Sequence, residues 1–386
     1  MLEGLQAILD KEVVLSTVNA DDLLHRTAKV EADYAKHIAT FIPMGDTGDF
    51  SKRIVRLVTN AKTPKGLIVA DYGYGKTSTL AFLWHECEHQ DIVAVPPFYC
   101  ASLLDMLNAT YGWVKFRLER RQPGLIADLD EVYQKYTTAT LEEMAERYAR
   151  EHGIAKVTAI GMLTDMLEGG SLVLELTPSN LLFFLDAAAA IVLRAGFKGL
   201  VLFPDEFQQY FSKGANLRRI IQEFREFVWG LDTRSNTLGV VLSIPDYAES
   251  VIQEQGRDVL HRLKKDNLYY RLQDIYTMEF PAELWRCYVE TFKLDKTAAQ
   301  ILDKNTLRAI GQITERRDLG EGPRTVIDSF KRAILYYDDH KSTYTPVQLV
   351  NDFLESNIRF QAQTNKLKSV VRQVLSSSVV NTPAKA

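Results

Sequence analysis

Cysteine is scarce in this sequence and widely spaced. The 386 residues contain three, Cys87, Cys100 and Cys287. Three separated cysteines supply neither a disulfide framework nor a pair of metal ligands. Since such usage is typical of a reducing compartment, we expect a cytoplasmic protein.

Long apolar runs and a basic excess are also missing. The most apolar run, residues 181–195, contains Asp186 and is shorter than the roughly 20 residues that span a bilayer, so it predicts a buried helix and no membrane partner. The first residues are acidic where an export signal would be basic, so we expect no export. With 46 Lys and Arg against 50 Asp and Glu, the net charge is −4, and DNA contact would require a local basic patch.

Short apolar segments predict an α/β fold. Because helical patterns separate them, they are typical of βαβ units that form one buried, mostly parallel sheet. The predicted strands are residues 66–70, 92–95, 200–203, 238–243 and 275–280.

Apolar spacing and end signals predict the helices. Thr140 and Glu143 form a capping-box pattern and Gly153 follows as a stop signal, so a helix is expected to begin at Thr140. The predicted helices are residues 50–60, 78–89, 140–152, 283–292, 323–337 and 347–360.

The stretch between the second and third strands is much longer than a single crossover needs. We therefore predict a helical insertion within an α/β core, and helices after the last strand that are labelled the lid below. The last residues lose helical pattern, and we expect the chain to continue into a longer protein. The predicted divisions are residues 1–60 (helical segment and linker), 61–98 and 199–281 (core), 99–198 (insertion), 282–360 (lid) and 361–386 (tail).

The segment ADYGYGKT, residues 70–77, is the sharpest motif. It follows a predicted strand, precedes a predicted helix and matches the phosphate-binding pattern G-x-x-x-x-G-K-[ST], with Ala70 in place of the first glycine. Glycines let backbone N–H groups surround a phosphate, and the helix N-terminus adds positive potential. Lys76 is expected to reach the β- and γ-phosphates of ATP and Thr77 to bind Mg²⁺. A chance glycine-rich turn is the alternative. The predicted nucleotide-binding residues are Asp71, Tyr72, Gly73, Tyr74, Gly75, Lys76, Thr77 and Ser78.

Two carboxylates end the third predicted strand, in GLVLFPDEF. We expect Asp205 to hold Mg²⁺ through water, at the same site as Thr77, and Glu206 to orient and polarise the attacking water. A solvated acidic turn is the alternative. Ser243 ends the next strand, where its hydroxyl would contact the water or the γ-phosphate, or would simply cap the following turn.

Arginines provide further candidates. The segment 257–271 is locally basic and could supply an arginine to a neighbouring subunit, or could be a solvated face. Arg324 opens the predicted helix of the lid, where it would face the γ-phosphate or remain an exposed arginine.

Five features follow one another along the chain: ADYGYGKT, LVLFPDE, a strand ending in Ser243, a basic segment and GEGPRT. In this order they resemble the AAA+ ATPases over about residues 40–350. The segment from GEGPRT resembles the origin-recognition initiator branch, and the whole layout is similar to ATPases of bacterial phage-defence systems such as BREX. The resemblance implies a five-stranded sheet of order 5-1-4-3-2, a helical lid and ATP hydrolysis at subunit interfaces. Ala70 and the insertion depart from the common pattern. The roles that the resemblance implies fall on Lys76, Thr77, Asp205, Glu206, Ser243 and Arg324, with Arg262, then Arg271, as the arginine acting in trans.

These patterns predict an Mg²⁺-dependent ATPase that remodels a protein or DNA assembly as a homo-oligomer or hetero-complex. A nucleotide-gated signalling switch and a non-hydrolysing scaffold are the alternatives. The basic segments 117–121 and 366–372 would contact DNA phosphates or form solvated helix faces. The loop 43–49 would pack over adenine or serve as a connector.

Overall fold

Five parallel strands form the centre of the molecule. The structure is a computed structural model that describes residues 2–9, 15–169, 172, 174–212, 217–265, 267–315 and 323–339. The strand order is β2-β3-β4-β1-β5, and every pairing is parallel. This is the expected order 5-1-4-3-2, so the predicted α/β fold is confirmed. The strands are β1 Lys65–Val69, β2 Val93–Tyr99, β3 Leu200–Asp205, β4 Leu238–Ile244 and β5 Tyr269–Arg271.

Helices cover the sheet and extend beyond it. Strands β1, β3 and β4 are buried along their whole length, as expected for apolar strands covered on both faces. Before and within the core lie α1 Leu2–Leu9, α2 Ala20–His25, α3 Thr27–Ile38, α4 Thr47–Thr59, α5 Lys76–Glu88, α6 Leu103–Arg121, α7 Ile126–His152, α8 Lys156–Glu168 and α9 Pro178–Arg194. They are followed by α10 Gln208–Ser212, α11 Leu217–Leu231, α12 Asp246–Gln255, α13 Arg257–Lys264, α14 Phe280–Thr291, α15 Lys296–Ala299, α16 Lys304–Glu315 and α17 Pro323–Asp339.

The long stretch between β2 and β3 is helical, as predicted, and has two parts. Helices α6 and α9 belong to the core of the sheet, where Trp113 and Phe184 are fully buried. Helix α8 and the C-terminal half of α7 form a separate small core around Met144 and Ala159. Removal of α6 and α9 would therefore expose the apolar side chains of the sheet core to water.

The helices of the predicted lid have their own core, to which the first helix contributes. Ile8 of α1 is buried with Trp285 of α14 and Phe330 of α17. The predicted helix at 347–360 and the tail lie outside the described residues. No helix in the described part of the chain is both long enough and apolar enough to cross a membrane.

The predicted fifth strand at 275–280 is wrong. The strand is β5, and the next residues form a 3-10 turn, Leu272–Ile275, before α14 begins at Phe280. Ile275 and Tyr276 pack against both the sheet core and the lid core. Their apolar pattern thus reflects a junction between two cores and not a strand.

The predicted start of a helix at Thr140 is also wrong. Helix α7 runs through this position, and the Thr140 hydroxyl donates to the Tyr136 carbonyl, 2.7 Å away, inside the helix. A threonine can bond to the preceding turn in this way, so its presence does not mark a helix start. The predicted stop is confirmed, because Gly153 follows α7 with a left-handed φ of 64°.

Candidate functional site

The segment 70–77, the predicted phosphate loop, connects β1 to α5 through two glycines in the left-handed region. Gly73 has φ 82° and Gly75 has φ 81°, a conformation that other residues adopt at a cost. Helix α5 begins at Lys76, directly after the second glycine, so its free N–H groups point into the loop. Ala70, in place of the first glycine, is fully buried and its N–H donates to the Ile244 carbonyl at 3.1 Å. At this position the chain still pairs with the neighbouring strand, so no glycine is required.

Lys76 is buried, and its ammonium turns back onto the loop. Its Nζ donates to the carbonyls of Ala70 at 2.9 Å and Asp71 at 3.2 Å. Burial lowers the pKa of Lys76, and the charges of Asp205 and Glu206 oppose that shift. The two carbonyls supply the oxygen partners that an anion in the loop would otherwise supply.

Asp205 lies at the end of β3 and is fully buried among hydroxyl groups. Its Oδ2 accepts from Thr77 Oγ1 at 2.6 Å and from Thr17 Oγ1 at 2.8 Å. Its Oδ1 accepts from the Ser243 hydroxyl and from the N–H of Glu206, the latter at 3.0 Å. Three predicted residues, Thr77, Asp205 and Ser243, therefore meet at one point.

Glu206 follows with a strained backbone and a restrained carboxylate. Its φ is 52°, which is uncommon for a residue with a side chain and indicates local strain. The buried amide of Gln208 donates to Glu206 Oε2 and lies 3.3 Å from the Tyr72 hydroxyl. Burial raises the pKa of Glu206, and the charge of Asp205 raises it further.

A cleft opens beside the loop, between the N-terminal helices and the lid. Its lining is mainly apolar and includes Phe41, Ile42 and Leu284. Met44 and Thr47, both within the segment 43–49, line this cleft together with Ile327 of the predicted lid. The hydroxyl of Tyr276 donates to the carbonyl of Tyr74 at 2.9 Å, so the chain before the lid contacts the phosphate loop directly.

The residues fit a divalent cation only in part. Thr77 and Asp205 provide a hydroxyl and a carboxylate, the hard oxygen donors that Mg²⁺ prefers. No group of three or more His, Cys, Asp or Glu side chains in the described ranges is placed to hold a metal. A cation here would need further oxygens from phosphates and water, as is usual for Mg²⁺ bound with a nucleotide.

The two candidate trans-acting arginines are paired within their own chain. Arg262 binds Asp232 at 2.5 Å, and Asp232 also binds Lys65 at the start of β1. The guanidinium therefore lies near the end of β1 that is opposite to the phosphate loop. Arg271 lies at the other end of the sheet and is held by Asp246, at 3.3 Å, and by Glu249.

Arg324 is the second residue of α17, whose first residue, Pro323, lines the cleft. The side chain of Arg324 is outside what the structure describes. Its role as the lid arginine stays a prediction, as do the trans roles of Arg262 and Arg271.

The basic segment 117–121 is occupied by internal ion pairs. Arg117 binds Glu88 at 2.9 Å, Arg120 binds Glu31 at 2.7 Å, and Arg121 binds Asp91 at 2.8 Å. These pairs favour a structural role for the segment over contact with DNA. The second basic segment, 366–372, lies outside the described residues.

The sequence did not indicate Thr17, Gln208 or Tyr276 as site residues. Thr17 lies 60 positions before Thr77 and belongs to no motif. Tyr276 falls in the segment mistaken for a strand. Only Gln208, two positions after Glu206, could have been suspected from its place beside the predicted carboxylates.

No family model and no curated protein matches this chain. A solved structure of the ORC2 protein of Aeropyrum pernix in its ADP form is similar at 12% identity, covering 82% of this chain and 69% of that chain, with a TM-score of 0.43.

Proposed function

We propose that this protein binds ATP with Mg²⁺ and hydrolyses it, as an AAA+-like ATPase. The observation that carries the proposal is the hydrogen bond between Thr77 and Asp205 at the carboxyl ends of the parallel strands. Lys76 and Glu206 are their direct neighbours in the chain. Ligands bind at the carboxyl ends of strands in open α/β sheets, and the glycine loop and the start of α5 favour a phosphate there.

Each side chain has a defined task in this proposal. Lys76 exchanges its carbonyl partners for the β- and γ-phosphate oxygens, and the Thr77 hydroxyl with Asp205 holds the cation. When bound, Mg²⁺ neutralises charge on the phosphates. Glu206 accepts a hydrogen bond from the attacking water and orients it in line with the γ-phosphate. The Ser243 hydroxyl donates a hydrogen bond that holds Asp205 in position. A contact between Ser243 and the γ-phosphate would therefore also affect the Asp205 carboxylate.

The cleft between the loop and the lid is our candidate for the base and ribose. Its lining is mainly apolar, as expected for a site that takes a flat aromatic ring. Met44 and Thr47 line this space, which supports the prediction that the loop at 43–49 packs over adenine.

Two variants test binding and hydrolysis separately. Lys76→Ala removes the ammonium and should abolish the thermal shift that ATP and Mg²⁺ produce in the wild-type protein. Glu206→Gln keeps the shape of the site and should preserve the shift but stop phosphate release. Absence of any shift in the wild-type protein would refute nucleotide binding.

A nucleotide-gated switch is the second candidate function. The observation that favours it is that Arg262 and Arg271, the candidate trans-acting arginines, both form ion pairs within their own chain. A switch would copurify with bound ADP and turn over very slowly, whereas a machine would turn over repeatedly once its partners are added. Measurement of bound nucleotide and of phosphate release distinguishes the two.

We further propose that the active form is an assembly with other copies or other proteins, acting on a protein or DNA partner in a phage-defence system. The sequence resemblance supports this role. Native mass measured with and without ATP tests the assembly. Phage plating on cells that carry the wild-type protein or Lys76→Ala within its own system tests the defence role, and equal plating would contradict it.

A further inference from the structure

Thr17 lies at the proposed metal site although it belongs to the N-terminal segment. Its hydroxyl donates to Asp205 Oδ2 at 2.8 Å and lies 3.4 Å from Thr77 Oγ1. Thr77 donates to the same carboxylate oxygen at 2.6 Å. Two hydroxyls from distant parts of the chain thus stand side by side on one oxygen of the buried carboxylate.

The backbone beside Thr17 is fixed by the sheet. Val18 forms a parallel bridge with Phe98, and its carbonyl accepts from the N–H of Tyr99 at 2.7 Å. Tyr99 is in turn the register partner of Asp205. The segment therefore lies along the outer edge of β2, at the level where β3 ends in its carboxylate.

The spacing of the two hydroxyls suits neighbouring ligands of one cation. Octahedral Mg²⁺ binds oxygens at 2.0–2.1 Å, which places adjacent ligands about 2.9 Å apart. Thr17 Oγ1 is 3.4 Å from Thr77 Oγ1, so a shift of about half an ångström would bring the two to that separation. By donating to Asp205, Thr17 also makes the hydrogen bond that a cation-bound water would make.

We infer that Thr17 is a residue of the divalent-cation site: its hydroxyl oxygen binds the cation beside Thr77 and replaces one water. The inference rests on the proposed function, because the cation binds there with a nucleotide. Thr17 can keep its hydrogen bond to Asp205 while a lone pair faces the cation, since a hydroxyl both donates and accepts. The N-terminal segment therefore contributes directly to metal affinity.

Metal affinity of the full chain in its ADP complex tests the inference, since no turnover is then needed. Mn²⁺ titrated in the presence of ADP and followed by electron paramagnetic resonance reports the cation. We expect Thr17→Val to weaken Mn²⁺ binding about tenfold, the lower end of what loss of a metal-site partner costs. Thr17→Ser keeps the hydroxyl and should bind Mn²⁺ like the wild-type protein. ADP affinity measured with EDTA should be the same in all variants.

Ser16→Ala is the matched control, because Ser16 is the exposed neighbour of Thr17. Thr17→Ala provides a second variant if Thr17→Val does not fold. Unchanged Mn²⁺ affinity in a folded Thr17 variant would overturn this inference and leave the proposed function intact. Failure of the wild-type protein to bind ADP would overturn both.

Discussion

Thr77 and Asp205 are 128 positions apart in the chain, and their side chains meet at 2.6 Å. Thr77 lies in α5, directly after the loop that follows β1, and Asp205 ends β3; these two strands are not neighbours, because β4 lies between them. Ser243 of β4 fills that gap and donates to the other oxygen of Asp205. Three adjacent strand ends therefore assemble the site, and the strand order sets which residues meet.

The raised pKa of Glu206 predicts a pH dependence of hydrolysis. Glu206 must be ionised to accept a hydrogen bond from the attacking water, so activity should fall as pH falls through its pKa. Because burial and Asp205 raise that pKa, the acid limb should lie above the usual carboxyl range of about 4. A profile of kcat/KM against pH checks this. A rate that stays flat down to about pH 4 would contradict it.

Gln208 is a positioning residue for Glu206 in this site. Gln208→Leu removes the amide that donates to the carboxylate while keeping a similar volume. We expect kcat to fall about tenfold with little change in KM, since the water is no longer held in line. Because that hydrogen bond lowers the pKa of Glu206, the acid limb should also move to higher pH. A merely structural role would lower thermal stability without moving the limb.

Arg262 is expected to act only on a neighbouring subunit. Strands rise about 3.3 Å per residue, so the two ends of β1 are separated by roughly 13 Å, and Arg262 lies near the end away from its own phosphate loop. Arg262→Ala should lower turnover by about 10³-fold and leave ATP binding unchanged. Mixing the Arg262→Ala and Glu206→Gln proteins should restore part of the activity. Some interfaces between the two variants then contain an intact Glu206 from one subunit and an intact Arg262 from the other. If Arg262→Ala is fully active, Arg271→Ala becomes the variant to mix.

Gly112 permits a close contact between α2 and α6. A Cβ atom at Gly112 would lie 2.2 Å from the carbonyl oxygen of Leu23, which is backbone and cannot turn aside. Gly112→Ala should therefore lower the free energy of unfolding by about 1–3 kcal/mol, as overpacking does. Gly161→Ala is the control, because Gly161 lies within α8 with nothing within 4 Å of the added atom. It should be neutral or stabilising by up to about 1 kcal/mol, and thermal unfolding of both variants checks the pair.

Local pattern sufficed for the main elements of the fold and for bringing together the candidate residues after β1 and at the end of β3, whose roles stay predictions. Apolar segments marked β1 to β4, and the glycine-lysine motif marked the loop, because both signals are carried by consecutive residues. The three-residue strand β5 is too short to show a pattern, while the apolar residues after it pack into two cores. Thr17 was missed because only the edge of β2 brings it to Asp205, and contacts between distant segments leave no local trace.

Tyr276 connects two parts of the molecule that nucleotide binding would have to coordinate. Its hydroxyl holds the Tyr74 carbonyl of the phosphate loop, and its ring packs edge-on against Phe280, where α14 begins, with centroids 4.6 Å apart. A rotation of α14 would consequently pull on the loop or break a hydrogen bond worth about 1 kcal/mol. The backbone of the predicted phosphate loop and the orientation of α14 are thus linked through one aromatic side chain.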